Sequence, residues 1–126
     1  MHIKKTLLLF TAILFIGGNL YAKPPIFLDN YSQAVKISKE LDHSLIVLFS
    51  ADWCVYCKKL KKDISDNLDK FEDTTICIVD IDKNPELAKK YKVRSIPKTI
   101  VFDKIGNAVK EFKGYINIDL LRIKNE

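Results

Sequence analysis

The sequence predicts an α/β domain. Helical and strand patterns alternate along the chain, and two apolar runs, Leu45 to Phe49 and Thr75 to Ile81, read as strands covered on both faces. No internal repeat or low-complexity stretch interrupts the alternation. The formal charge of +5 over 126 residues falls to +3 without Lys4 and Lys5 of the amino-terminal segment, too mild to point to nucleic acid as a partner.

The amino-terminal segment reads as a secretion signal rather than as part of the fold. Met1 to Lys5 is basic, Thr6 to Ile16 is almost wholly apolar, and Gly17 to Ala22 is small or polar around a cleavage point. The apolar run is far shorter than the ~20 residues a helix needs to cross a bilayer. Residues 1–22 are therefore expected to be a signal peptide and residues 23–126 the domain. If the segment were retained, Lys4 and Lys5 would hold the amino end on the cytoplasmic side and send the domain outward, tethered to the membrane. Both outcomes predict a periplasmic or otherwise exported protein. Losing Lys4 and Lys5 lowers the charge from +5 to +3, and what remains is enough chain for one core and too little for two.

The elements follow in order. Asp29 or Asn30 caps a helix whose inward positions are Ala34, Ile37, Ser38 and Leu41. Leu45 to Phe49 is the first strand. From Cys54 the chain turns helical, with Cys57, Leu60 and Ile64 as the inward stripe, Leu68 extending it, and Lys58, Lys59, Lys62 and Asp66 facing water. Thr75 to Ile81 is the second strand, and Asn84-Pro85-Glu86 opens a short helix through Tyr91 with Pro at its first position. After a loop from Val93 to Pro97, the segments Thr99 to Phe102 and Ala108 to Phe112 form a hairpin across Lys104-Ile105-Gly106-Asn107. Gly114 breaks the last strand, and Asn117 caps a terminal helix carrying Ile118, Leu121 and Ile123.

The chemistry sits in Trp53-Cys54-Val55-Tyr56-Cys57. Two cysteines at this spacing close reversibly into a disulfide when the first lies just before a helix and the second inside its first turn. Three cysteines in an oxidising compartment fit one such pair plus an odd thiol, not the dense framework of a disulfide-stapled miniprotein. Cys77 lies mid-strand and is expected to pack as a small hydrophobe. His43, in a helix-to-strand loop, is expected to be exposed. Structural zinc is not expected, because about four clustered ligands are required and the histidines and remaining cysteine are scattered. No cofactor is expected.

The element order, with Ala51-Asp52-Trp53-Cys54-Val55-Tyr56-Cys57-Lys58, Asp80-Ile81-Asp82-Lys83-Asn84-Pro85, Val93-Arg94-Ser95-Ile96-Pro97 and Lys113-Gly114, resembles the thioredoxin superfamily over roughly Leu45 to Glu126. Within it, the chain is similar to exported thioredoxin-like reductases such as the periplasmic terminal domain of the transmembrane reductant conductor DsbD. The resemblance implies a three-layer fold, with a central mixed sheet flanked by helices. It further implies that Cys54 is the exposed nucleophile and Cys57 the resolving thiol, with Trp53 and a cis Ile96–Pro97 loop beside them to receive substrate. Helix-start N–H groups and the macrodipole would stabilise a thiolate at Cys54.

One departure stands out. The superfamily usually carries a buried Asp six residues before the first cysteine and a Lys on the neighbouring strand, where this chain has Leu48 and Ile78. Losing both charges together leaves neither unpaired. The Asp of the family helps take the proton from the resolving cysteine, so Cys57 is expected to deprotonate more slowly here. The absence of His between the cysteines tilts the reading toward a reductase or electron relay. The expected function is an exported, monomeric protein-disulfide reductase, recharged by a membrane or periplasmic thiol electron donor. A disulfide oxidase or isomerase, and a non-catalytic binding module with an inert disulfide, are the alternatives.

Overall fold

The structure, a computed structural model, describes residues 23–124, so the signal-peptide reading of residues 1–22 lies outside the described residues. Five strands, β1 (Ile26–Leu28), β2 (Ser44–Ser50), β3 (Thr74–Asp80), β4 (Lys98–Phe102) and β5 (Ala108–Lys113), form one sheet in the order β1-β3-β2-β4-β5. β1 and β2 run parallel to β3, β4 is antiparallel to β2, and β5 is antiparallel to β4. Among the described residues, three α-helices complete the α/β fold: α1 (Tyr31–Glu40), α2 (Val55–Ser65) and α3 (Pro85–Lys90).

Alternation along the strands divides the core into two layers. On one face Ile46, Leu48, Ile76 and Val101 pack with Leu60 and Ile64 of α2 and with Phe71, Ile118 and Leu121. On the other, Leu45, Val47, Phe49, Val79 and Ile100 pack with Ala34 of α1, flanked by Leu87 and Tyr91 at α3. The central mixed sheet flanked by helices is the architecture expected. Leu48 and Ile78 are register partners in β2 and β3, and both pack into the α2 side. The missing ion pair is thus replaced by hydrocarbon contact.

Several expectations need correction. β1 has no counterpart in the local pattern, because three residues are too few to display a period, and its pairing with β3 supplies what that pattern lacks. Asn30 rather than Asp29 caps α1, its side chain accepting the Gln33 N–H at 2.9 Å. α2 stops at Ser65, so Leu68 leaves the inward stripe and is 40% exposed, and Phe71 fills the core from a short 3-10 turn. The terminal helix is only a 3-10 turn, Ile118–Leu121, whose three-residue period puts Ile118 and Leu121 on the same buried side. Asn117 caps it by accepting the Asp119 N–H at 2.9 Å.

Cys77 is fully buried at the middle of β3, between Leu28 and Val47 on the neighbouring strands. Burial, assisted by the charge of Asp29, pushes its thiol up to about 12. It stays protonated and inert at neutral pH, as its packing role demands.

His43 is the clearest reversal, being 1% exposed rather than solvated. Its backbone N–H donates to the Ser38 carbonyl at 2.8 Å, and its ring Nδ1 lies 3.3 Å from Thr75 Oγ1. Nε2 has no hydrogen-bond partner among the described residues. Burial lowers the imidazole pKa from its ordinary 6.5, against the opposing pull of Asp73. The unfolded chain therefore takes up a proton that the folded one resists. This contribution to stability is fully present above about pH 6.5 and declines as pH falls below that. We expect the urea midpoint of the parent to drop between about pH 7.5 and about pH 5.5 more than that of His43→Leu. Equal drops in the two proteins would refute this assignment.

Candidate redox site

The site grows from the carboxyl ends of the parallel strands β2 and β3. β2 ends at Ser50, whose carbonyl accepts the Ile81 N–H at 2.9 Å, tying together the two segments that leave the sheet there. Ala51-Asp52-Trp53 forms a turn closed by the Cys54 N–H on the Ala51 carbonyl at 3.1 Å. That turn delivers Cys54 to the N-cap of α2. Its Sγ accepts the Cys57 N–H at 3.2 Å, and its carbonyl accepts the Lys58 N–H, also at 3.2 Å. A sulfur that caps a helix is held where free N–H groups and the helix dipole favour negative charge, and no acidic residue occupies the first turn to oppose it.

Cys54 and Cys57 are joined in a disulfide, with Cα atoms 5.3 Å apart, an ordinary separation for a bridge. Cys57 is fully buried. Cys54, expected to be exposed, retains only 7% of its surface, so in the disulfide form its accessibility is a narrow opening. Its sulfur is turned back onto the helix start, and the neighbouring side chains take the exposure instead: Trp53 is 67%, Val55 74% and Tyr56 63% exposed. The bridge therefore sits in an apolar, solvent-facing rim.

Trp53 does not cover the core. Its indole Nε1 donates to Asp82 Oδ2 at 3.0 Å, an arm from the β3 end holding a ring from the β2 end. Asp82 was missed as a site residue because its role depends on two strand ends lying side by side. Trp53 shares a cavity of about 240 Å³ with Ile81, Val93, Arg94, Ser95 and Ile96. The Ile96–Pro97 peptide bond is cis, and Pro97 is buried with its carbonyl accepting the Gly114 N–H at 2.7 Å. Gly114 adopts a φ of +84°, a conformation open to glycine, at the point where the chain leaves β5. Among the described residues the N–H groups of Ser95 and Ile96 have no backbone partner. An extended peptide laid along this segment could meet them. Trp53 and Ile96 are thus brought to one cavity, while Pro97 supports its loop from beneath.

On the other side of the rim lies Tyr115, a residue the sequence did not single out. Its ring is 6.3 Å from that of Tyr56, Lys59 Nζ lies 4.4 Å from its centroid, and its hydroxyl donates to Asp63. It joins the segment after β5 to the exposed side of α2. The lysines of α2 behave as a solvated face, Lys62 pairing with Asp66 one turn along the helix. Among the described residues, no group of three or more His, Cys, Asp or Glu side chains is placed to hold a metal.

Comparison with known proteins bears on this geometry. A thioredoxin family model matches residues 25–124. Protein disulfide-isomerase 1 of Dictyostelium discoideum is 34% identical over 120 residues, which is 90% of this chain and 31% of that protein. Thioredoxin H2 of Arabidopsis thaliana is 36% identical over 76 residues, 60% of this chain and 56% of the relative. The chain thus spans about half or less of the length of these two relatives. Among solved structures, a mutant thioredoxin from Halobacterium salinarum superposes with a TM-score of 0.66 at 27% identity, covering 80% of this chain and 88% of that one.

Proposed function

The chain belongs to the thioredoxin family, and from that premise we propose that it is an exported thiol-disulfide oxidoreductase that reduces protein disulfides through Cys54 and Cys57. The observation that carries the proposal is the Cys54–Cys57 bridge at the start of α2, with the Cys57 N–H aimed at Cys54 Sγ. In the dithiol form, the Cys54 thiolate attacks one sulfur of a substrate disulfide, forming a mixed disulfide and releasing the first substrate thiolate. Cys57 then gives up its proton and attacks Cys54 Sγ, closing the bridge and releasing the second substrate thiolate. Two electrons leave the dithiol and enter the substrate. The bridge must next be reduced by a dithiol donor, which we assign to a membrane or periplasmic protein, as for the DsbD-like reductases the sequence resembles.

Trp53, Ile96 and Pro97 are assigned to substrate binding. The cavity that Trp53 and Ile96 share, and the unpaired N–H groups of Ser95 and Ile96, support that role. The reductive direction is supported by Val55 and Tyr56 between the cysteines, where no imidazole is present to stabilise a reduced thiolate. The proposed export is in keeping with the amino-terminal sequence pattern, and we take the protein to act as a monomer.

Insulin reduction tests the activity. The parent should accelerate precipitation of the insulin B chain, and Cys54→Ser should fall to the rate of the reductant alone. Equal rates for the two would instead identify a binding module with an inert bridge. Direction is tested by equilibration with glutathione. A potential near the about −270 mV of thioredoxin fits a reductase, and one near about −120 mV would make the protein an oxidant.

A further inference from the structure

Beside the dithiol groove lies a second concavity that the redox chemistry does not use. Beyond α3 the chain turns at Lys92, which has a φ of +51°, and passes through Arg94 and Ser95 to the cis Ile96–Pro97 bond. Under this turn is a cavity of about 440 Å³ whose walls include Lys90, Lys92, Arg94, Lys98 and Lys113, with Glu111 as the one carboxylate. Glu111 is already engaged. Lys98, only 4% exposed, pairs with it at 3.0 Å and donates to the Tyr91 carbonyl at 2.7 Å. Among the described residues, no carboxylate lies within 4 Å of Lys90, Lys92, Arg94 or Lys113. In the β4–β5 register Lys98 and Lys113 stand directly opposite one another, and because Glu111 already pairs with Lys98, Lys113 is the member left without a carboxylate within 4 Å among the described residues.

The same cavity adjoins the groove at the bridge. Arg94 and Ser95 line both this concavity and the one walled by Trp53 and Ile96. An extended peptide whose cysteine engages Cys54 and whose backbone follows Ser95 and Ile96 would carry its flanking side chains toward the lysines. A carboxylate there would meet a guanidinium capable of two parallel hydrogen bonds and several ammonium donors. We propose that this basic cavity is a specificity subsite that takes an aspartate or glutamate side chain flanking the cystine of the protein substrate. The subsite rests on the reductase reading for its biological use, although its charge preference is measurable without turnover.

The test uses disulfide peptides that differ only by Glu or Gln beside the cystine, with the parent and a Lys92→Asn/Lys113→Gln double variant. Asparagine is chosen at 92 because it tolerates positive φ. The parent should reduce the Glu peptide roughly ten-fold more efficiently than the Gln peptide at low salt, the difference shrinking at about 1 M salt as charge is screened. The double variant should lose most of that preference while reducing the Gln peptide at the parental rate. Serine-for-cysteine versions of the peptides report binding alone, through the fluorescence of Trp53, the only tryptophan. The same ratio in parent and variant, or no Glu preference in binding, overturns the subsite. Inorganic phosphate that binds the cavity while the Glu preference is absent identifies a free-anion site and also overturns it. A Glu preference in binding with turnover at the Cys54→Ser background upholds the subsite and overturns the reductase reading instead.

Discussion

Cys57→Ser is expected to hold its substrate covalently. Cys54 Sγ accepts its hydrogen bond from the backbone N–H of residue 57, so serine at that position leaves the contact in place. The first exchange therefore proceeds, and the mixed disulfide forms. What disappears is the fully buried sulfur that the proposed mechanism uses as the second nucleophile to attack Cys54 Sγ and release the substrate. Catalytic turnover should fall to the uncatalysed background while a single equivalent of adduct accumulates, visible as a mass increase that dithiothreitol reverses. Applied to whole cells, the variant would name the substrates and the compartment. Multiple turnover at the parental rate, or no adduct with a protein that the parent reduces, would rule out Cys57 as the resolving thiol.

Leu48→Asp should produce the largest change in stability. Leu48 is fully buried, register-paired with Ile78 and packed among Leu60, Ile64 and their neighbours, with no cation in that cluster to meet a carboxylate. A charge left unpaired in such surroundings typically costs about 3–5 kcal/mol, a large share of the roughly 5–15 kcal/mol that holds a domain together. The new carboxyl escapes part of the cost by staying protonated, which raises its folded-state pKa. A raised carboxyl pKa means stability is retained below the unfolded value of about 4 and lost as pH rises toward the folded value. The penalty should accordingly be larger at pH 8 than at pH 5 in urea denaturation. Adding Ile78→Lys should recover part of it. In Leu48→Asp alone, at pH values high enough to ionise the new carboxyl, the carboxylate is a proton acceptor on the α2 side of the sheet and should ease deprotonation of Cys57, flattening the rate-against-pH curve relative to the parent. A variant with the parental midpoint and pH profile would show that this position is neither desolvated nor coupled to the dithiol.

How far the fold could be read from the chain depended on the range of the signal. Ala34, Leu60 and Ile64 reveal their inward direction through helical spacing, and β2 and β3 through unbroken apolar runs, because these patterns are written within a dozen residues. β1 and the 3-10 turn at Leu68–Phe71 are too short to carry a period and exist because neighbouring elements need covering. Helix ends are written only faintly in the local pattern. Asp66 closes α2 before Leu68, and nothing in the composition of that stretch distinguishes the end from a further turn.

The site divides in the same way. Cys54, Cys57, Trp53, Ile96 and Pro97 could be put forward from spacing and resemblance, whereas the Trp53–Asp82 hydrogen bond, the Tyr56–Tyr115 ring pair and the basic cavity could not. Their meaning lies in adjacency between residues far apart in the chain.

By itself, the amino-acid order determined the alternating architecture, the dithiol spacing and the loss of the Asp–Lys pair, since each is a local pattern or a residue identity. Only the tertiary structure decided that His43 is buried, that Cys54 opens narrowly, and that Lys92, Arg94 and Lys113 face one cavity. The physical reason is that exposure and electrostatic potential sum over all neighbours in space, and chain packing alone establishes who those neighbours are.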